Sequence, residues 1–198
     1  MFPIFLKLEG RRCLVVGAGN VAEGKIRGLL DTRALIQVVA PNATFQIRRW
    51  DWEGRLIWKP RNFDPRDLND VSIVIAATNS HEVNSDIFRE ARLRNVLCNS
   101  VDDPENCDFY YPAVVKRGDL QIAISTNGRS PALAQRLRQE LEEQFGPEYE
   151  AWIAELGAAR EQLNSADLDP EARKRLLHQL ASREAFNNRS AVQRGRSN

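Results

Sequence analysis

Three short stretches carry residue types that could do chemistry. "CNSVDDPENCDFYYP", residues 98–112, sets Asp102 and Asp103 side by side ahead of a proline. A carboxylate held at the edge of a site can accept a proton from a substrate. The same pair can also be ordinary turn chemistry, because Asp bonds its own backbone and Pro fixes φ. "GAGNVA", residues 17–22, has the glycine spacing of a dinucleotide-binding loop, with Ala22 where the third glycine can be alanine. In that reading Gly17 permits the tight turn, Gly19 lets the backbone approach a pyrophosphate, and the following helix offers its N–H groups; the alternative is a merely structural turn. "STNGRSPALAQRLR" places Arg129, Arg136 and Arg138 around a helix start, with Lys116 and Arg117 shortly before it. Cations beside a helix N-terminus suit carboxylates or phosphates, and a capped helix with a solvated face explains the same residues.

The elements that must position these residues follow from the apolar pattern. "RCLVVG", "LIQVVAP", "RLIWKP", "VSIVIAAT" and "VLCNSV" read as buried strands. "NVAEGKIRGLLDT" and "SHEVNSDIFREARLRN" read as helices between them, the second with Ser80 as its N-cap, and "DPRDLND" as a short helix or turn. Alternating strand and helix up to about residue 100 predicts a doubly wound parallel sheet. The glycine loop then lies between the first strand and its helix, the context the fingerprint requires. "AATNS" ends the fourth strand, and small residues there, with Thr78 among them, leave room for a ligand at the crevice. No acid stands in "VVAPN" at the end of the second strand, where a ribose-binding carboxylate is expected. Asn42 or backbone groups would hold the ribose, and the absence of Arg there favours NAD over NADP. After Asp103 the pattern changes: a hairpin around the turn Lys116 to Asp119, a helix capped by Ser130 with Pro131 at its first position, and further helices from Pro147. The tail "NNRSAVQRGRSN" reads as disordered. The fold class is therefore α/β: a Rossmann-like parallel-sheet domain over residues 1–108, a β-hairpin dimerisation region over 109–128, and a C-terminal helical region over 129–198.

Composition narrows the classes. Of 198 residues, 42% are hydrophobic, and 28 Lys and Arg stand against 27 Asp and Glu, a net charge of +1 that gives no basis for whole-chain nucleic-acid affinity. "RRWDWEGRLIWKPR" interleaves tryptophans with cations and could stack single-stranded nucleic acid; such residues more often cover a sheet edge. No run approaches the roughly 18 apolar residues of a membrane span, and the apolar start has no basic region before it, so no secretory signal is read. Cys13, Cys98 and Cys107 fit small buried hydrophobes in a reducing cytoplasm, and no zinc spacing or other metal-ligand set is present.

Taken in order, "PIFLKLEGRRCLVVGAGNVAEGKIRGLL", "AATN", "CNSVDDP", "FYYPAVV" and "STNGRSPALAQRLR" resemble the N-terminal module of siroheme synthase, over roughly residues 2–145. The resemblance implies an NAD-dependent oxidation of precorrin-2 to sirohydrochlorin and, in some members, insertion of ferrous iron as a substrate. It implies a stand-alone form without the methyltransferase domain, and an intertwined homodimer formed through the hairpin region. It places the catalytic aspartate at Asp102, with Asp103 at a position where the family varies. Cofactor contacts carry over to Asn20 and Val21 in the glycine loop and to Pro41 and Asn42 after the second strand, beside Gly17, Gly19 and Thr78. The substrate is a polycarboxylate, which gives Lys116, Arg129 and Ser130 a binding role. A serine phosphorylated in some members aligns with Thr126, and no regulatory role is carried over. A non-catalytic NAD-sensing module is the reading from another class; it leaves Asp102 and the arginine-flanked helix unused.

Overall fold

Five apolar runs pair into one parallel sheet in the order β3-β2-β1-β4-β5: β1 (Arg12–Val16), β2 (Leu35–Val39), β3 (Ile57–Lys59), β4 (Val71–Ala76) and β5 (Leu97–Ser100). They belong to a computed structural model that describes residues 1–188, so most of the polar tail lies outside the described residues. Strand residues alternate faces, and both faces are covered. On one face Cys13, Val15, Ile36 and Val38 meet Ala22, Ile26 and Leu29 of α1 (Asn20–Leu30). On the other, Leu14, Val16, Val39 and Val74 meet Ile87 and Ala91 of α3 (His81–Leu93). Burial on both sides explains why the strands read as continuous apolar runs. No helix among the described residues is long and apolar enough to cross a membrane.

One helix is absent from the sequence reading. α2 (Phe45–Trp52) is capped by Thr44, whose Oγ1 accepts from Ile47 N at 3.2 Å. It buries Ile47 and Trp50 on the sheet. The Trp/Arg stretch thus covers the sheet with two of its three tryptophans. Trp50 is buried, and Trp58 donates Nε1 to Ala40 O at 3.0 Å, while Trp52 is exposed. A 3-10 turn, Pro65–Leu68, connects β3 to β4, and its buried Asp67 accepts from Arg61 and from Gln37 of β2. Burial would raise the Asp67 pKa, but hydrogen bonds from Arg61 and from Asp64 N overcome this and hold it below the usual carboxylate range.

The unit from Met1 to Tyr111 ends here, and a second begins at Pro112. In the second, β6 (Ala113–Arg117) and β7 (Leu120–Ile124) form the hairpin. Arg117 pairs with Leu120, so the turn proper is Gly118-Asp119, two residues shorter than the expected Lys116 to Asp119. Lys116 and Arg117 are strand residues, and Arg117 reaches the carbonyls of Glu142 and Phe145 at the end of α4 (Pro131–Gln144). That is a charge-assisted close to a helix C-terminus. Asn127 and Gly128 both take positive φ, 55° and 76°, and Arg129 N donates to Thr126 O at 3.0 Å. An Asn-Gly pair is suited to this tight turn before α4. α5 (Glu148–Ser165) and α6 (Pro170–Leu180) follow, and residues 183–188 are helical. Tyr149, Trp152 and Phe186 pack their rings together with centroids 4.6–5.5 Å apart.

At the sheet's centre, Gly17 has φ 104°, and a Cβ there would stand 2.2 Å from Ala77 O. Gly19 differs: a Cβ there would meet nothing within 4 Å. Gly17→Ala is therefore expected to cost about 2–4 kcal/mol of stability, and Gly19→Ala no more than about 1 kcal/mol. Urea denaturation of both variants checks this, and equal losses would contradict it.

Candidate functional site

The strand order reverses between β1 and β4, because the chain goes from β1 to β2 and β3 on one side and returns to β4 on the other. Connections leave such a switch point in opposite directions, so a crevice opens outside the strand ends. A cleft of about 1330 Å³ lies there, lined by the ends of β1, β2 and β4. Gly17 and Gly19, Pro41 and Asn42, and Thr78 all line it. Asn20 and Val21 are the first two residues of α1, beside Gly19, with exposed side chains.

The geometry suits an anion. Gly19 is the N-cap of α1 with φ −83° and ψ −173°, and no side chain caps the helix. The first N–H groups of α1 therefore lack a side-chain partner at an end that carries the positive pole of the dipole. The open space over Gly19 leaves room for a pyrophosphate at that helix end. The loop is fixed from behind. Gly17 N donates to Val39 O, Thr44 N to Ala18 O, and Thr44 Oγ1 to Glu23 Oε2 at 2.9 Å. The residues present thus fit a dinucleotide, with Asn42 and backbone groups at the end of β2 where an acid is missing.

The opposite wall depends on a residue that the sequence reading missed. Asn84, buried within α3, accepts from Thr78 N at 3.1 Å and Thr78 Oγ1 at 2.7 Å, and returns Nδ2 to Thr78 O at 3.2 Å. A polar residue inside an amphipathic helix reads as solvated. The signal was its spacing, with Asn84, Ile87 and Ala91 on one buried face.

Asp102 lies one strand over, after β5, and does not line the cleft. It is exposed, its backbone is left-handed at φ 61°, and its carboxylate accepts no hydrogen bond among the described residues. Lys25 of α1 is its charged neighbour. Lys25 Nζ sits 3.8 Å from the centroid of the Tyr111 ring, a cation–π contact. Burial lowers the Lys25 pKa, and the negative charge of Asp102 only partly restores it. Cys13 and Cys98 are buried thiols, pushed up to about 11 and about 12 by burial, and both are inert at neutral pH. The remaining predicted residues belong to the second unit. Lys116 and Arg129 are exposed, and the Ser130 hydroxyl is the N-cap of α4, accepting from Leu133 N at 3.3 Å. No group of three or more His, Cys, Asp or Glu side chains gathers as a metal site among the described residues.

Comparison with known proteins bears on what the cleft holds. Residues 4–113 match the family described as "Putative NAD(P)-binding", and residues 117–144 the family described as "Sirohaem biosynthesis protein central". Siroheme synthase 2 of Pectobacterium atrosepticum is 42% identical over 140 residues, covering 71% of this chain and 30% of that protein. Siroheme synthase 1 of Aeromonas hydrophila is 37% identical over 182 residues, covering 92% of this chain and 39% of that protein. The chain thus spans 30–39% of the length of these relatives. A solved structure described as "SirC, precorrin-2 dehydrogenase" matches all of both chains with a TM-score of 0.82 at 28% identity. With the NAD(P)-binding part and the central part in that order, the chain belongs to the siroheme synthase N-terminal module family.

Proposed function

We propose that the chain is an NAD-dependent oxidoreductase that converts precorrin-2 to sirohydrochlorin in siroheme biosynthesis. The observation that carries the reading is the uncapped α1 N-terminus opening onto the switch-point cleft, in a chain similar over its whole length to a precorrin-2 dehydrogenase. NAD supplies a hydride acceptor when bound. This chain's residues do the rest. Backbone N–H groups of Gly19 to Val21 hold the pyrophosphate, Pro41 and Asn42 meet the ribose end, and Thr78, fixed by Asn84, bounds the other side. Oxidation releases a hydride and a proton together. Asp102 is the proposed proton acceptor, since its carboxylate is exposed and free of hydrogen bonds among the described residues. Lys116 and Arg129, with the N-terminus of α4, are proposed to hold substrate carboxylates.

The second unit supports a homodimer. Beyond Pro112, Val115, Ala134, Tyr149 and Phe186 are the buried apolar side chains among the described residues, while Val114 and Leu133 are exposed. A hairpin with so thin a core is marginal alone. The proposed setting is the cytoplasm.

Incubation with precorrin-2 and NAD, followed by absorbance, tests the function. Sirohydrochlorin should form, whereas NAD binding without turnover would favour a sensing module. Gly19→Asp should keep the fold and lose NAD affinity in calorimetry, because it drives a carboxylate into the pyrophosphate position; unchanged affinity would place the cofactor elsewhere. Asp102→Ala should lower turnover about 10²–10⁴-fold while circular dichroism and NAD affinity stay as in the parent. Full activity in that variant would remove Asp102 from the reaction. Light scattering should give twice the 22.5 kDa of one chain at micromolar concentration, and a monomer would rule out the dimer.

A further inference from the structure

The two adjacent aspartates end in opposite surroundings. Asp102 is exposed, while the Asp103 side chain is only 12% exposed and engaged from two sides. Asn106 Nδ2 donates to Asp103 Oδ2 at 2.6 Å, and His81 Nδ1 lies 3.3 Å from the same oxygen. Asn106 Nδ2 also donates to Ser85 Oγ at 3.2 Å. His81 is the first residue of α3 and Ser85 stands one turn on, so the Asp103 carboxylate fastens this turn to the beginning of α3. Bonds to main-chain carbonyls close the turn itself: Asn106 N donates to Asp103 O at 3.1 Å, and the Cys107 thiol reaches both Asp103 O and Ser100 O.

That end of α3 is also the one that shapes the cofactor cleft. Ser80 caps it, and Asn84, one turn in, holds Thr78. A non-glycine residue in left-handed backbone is disfavoured, and it persists where the surroundings over-determine it. Asp103 N donates to Ser100 O at 3.4 Å across Asp102, and the contacts of the Asp103 carboxylate add to what holds this turn.

We infer that Asp103 is a positioning residue: through Asn106 and His81, its carboxylate docks the Asp102 turn on α3 and thereby sets the reactive carboxylate relative to the cofactor cleft. The inference rests on the proposed role of Asp102 as proton acceptor. A helical N-terminus favours a carboxylate beside it, so Asp103 belongs where it is for reasons separate from chemistry on a substrate.

The test compares Asp103→Ala with Asp103→Asn in the full chain by kcat and KM with precorrin-2 and NAD, NAD calorimetry, and amide hydrogen exchange at Asp103 and Asn106. Asp103→Ala should lower kcat about 10²-fold, the scale of a small misplacement of a reacting group. NAD affinity should hold, and exchange at both amides should quicken. Asp103→Asn keeps an oxygen that accepts from Asn106 and should restore kcat and exchange to near the parent values. Parent-like kcat and exchange in Asp103→Ala, or an Asp103→Asn as impaired as Asp103→Ala, overturns the inference. If Asp103→Ala fails to fold, Asn106→Ala removes the Asn106 arm of the bridge with both aspartates intact and should show the same pattern. A parent protein inactive on precorrin-2 defeats the proposed function instead, and the exchange comparison then decides the docking role alone.

Discussion

Gly17 has no Cβ, and none would fit. The end of β1 passes so close to the end of β4 that a methyl group there would overlap Ala77 O at 2.2 Å. Two backbone bonds hold this approach, Gly17 N to Val39 O on one side and Ala77 N to Val16 O on the other. The first and fourth strands meet here, at the point where the strand order reverses. The fingerprint's first glycine therefore answers first to the sheet and only through it to a ligand. Because the strands close tightly at Gly17, the chain leaves β1 at a fixed angle. α1 then starts at Gly19 with its N-terminus over the cleft.

Much else follows from that placement. Ala22 is fully buried because α1 must lie flat on the sheet once its start is fixed. Thr44 joins the second connection to this loop through Glu23 and Ala18, so the β2–α2 segment moves with the glycines. On the other side, Ala77 leads to Thr78, and Thr78 leads through Asn84 into α3. The cleft is thus bounded by segments that share backbone bonds, which limits how far any wall can relax. Such pre-organisation is what dinucleotide binding requires, since ordering loops at the moment of binding subtracts from affinity.

The strands were legible because burial on both faces forces long β-branched runs, and "VSIVIAAT" and "RCLVVG" have no other sensible reading. α2 was not. Its mix of aromatic and charged side chains disguises the spacing of Ile47 and Trp50; the Thr44 cap was the available signal. The hairpin turn was misplaced by its charges. Lys116 and Arg117 read as turn residues, yet they are strand residues on opposite faces of β6, Lys116 exposed and Arg117 bonded to α4. In the cleft, the glycines, Asn42 and Thr78 were visible as small or loop residues at strand ends, and Pro41 came only with the family resemblance. Asn84 and Lys25 were hidden because each lies within a helix, where only the fold reveals what its side chain reaches.

The aspartate pair shows how far sequence adjacency can mislead. In an extended strand, neighbouring side chains point to opposite faces, and both carboxylates would then be judged by which face held the site. The chain instead turns left-handed at Asp102, φ 61°. Asp is among the few residues that tolerate this region, because its short polar side chain can bond locally. Here it forms no such bond among the described residues, so the strain at Asp102 is met by Asp103, Asn106 and Cys107. One carboxylate is spent on structure and leaves the other free. Two identical residues side by side thus end in unlike surroundings, and the backbone angle at Asp102 separates the two.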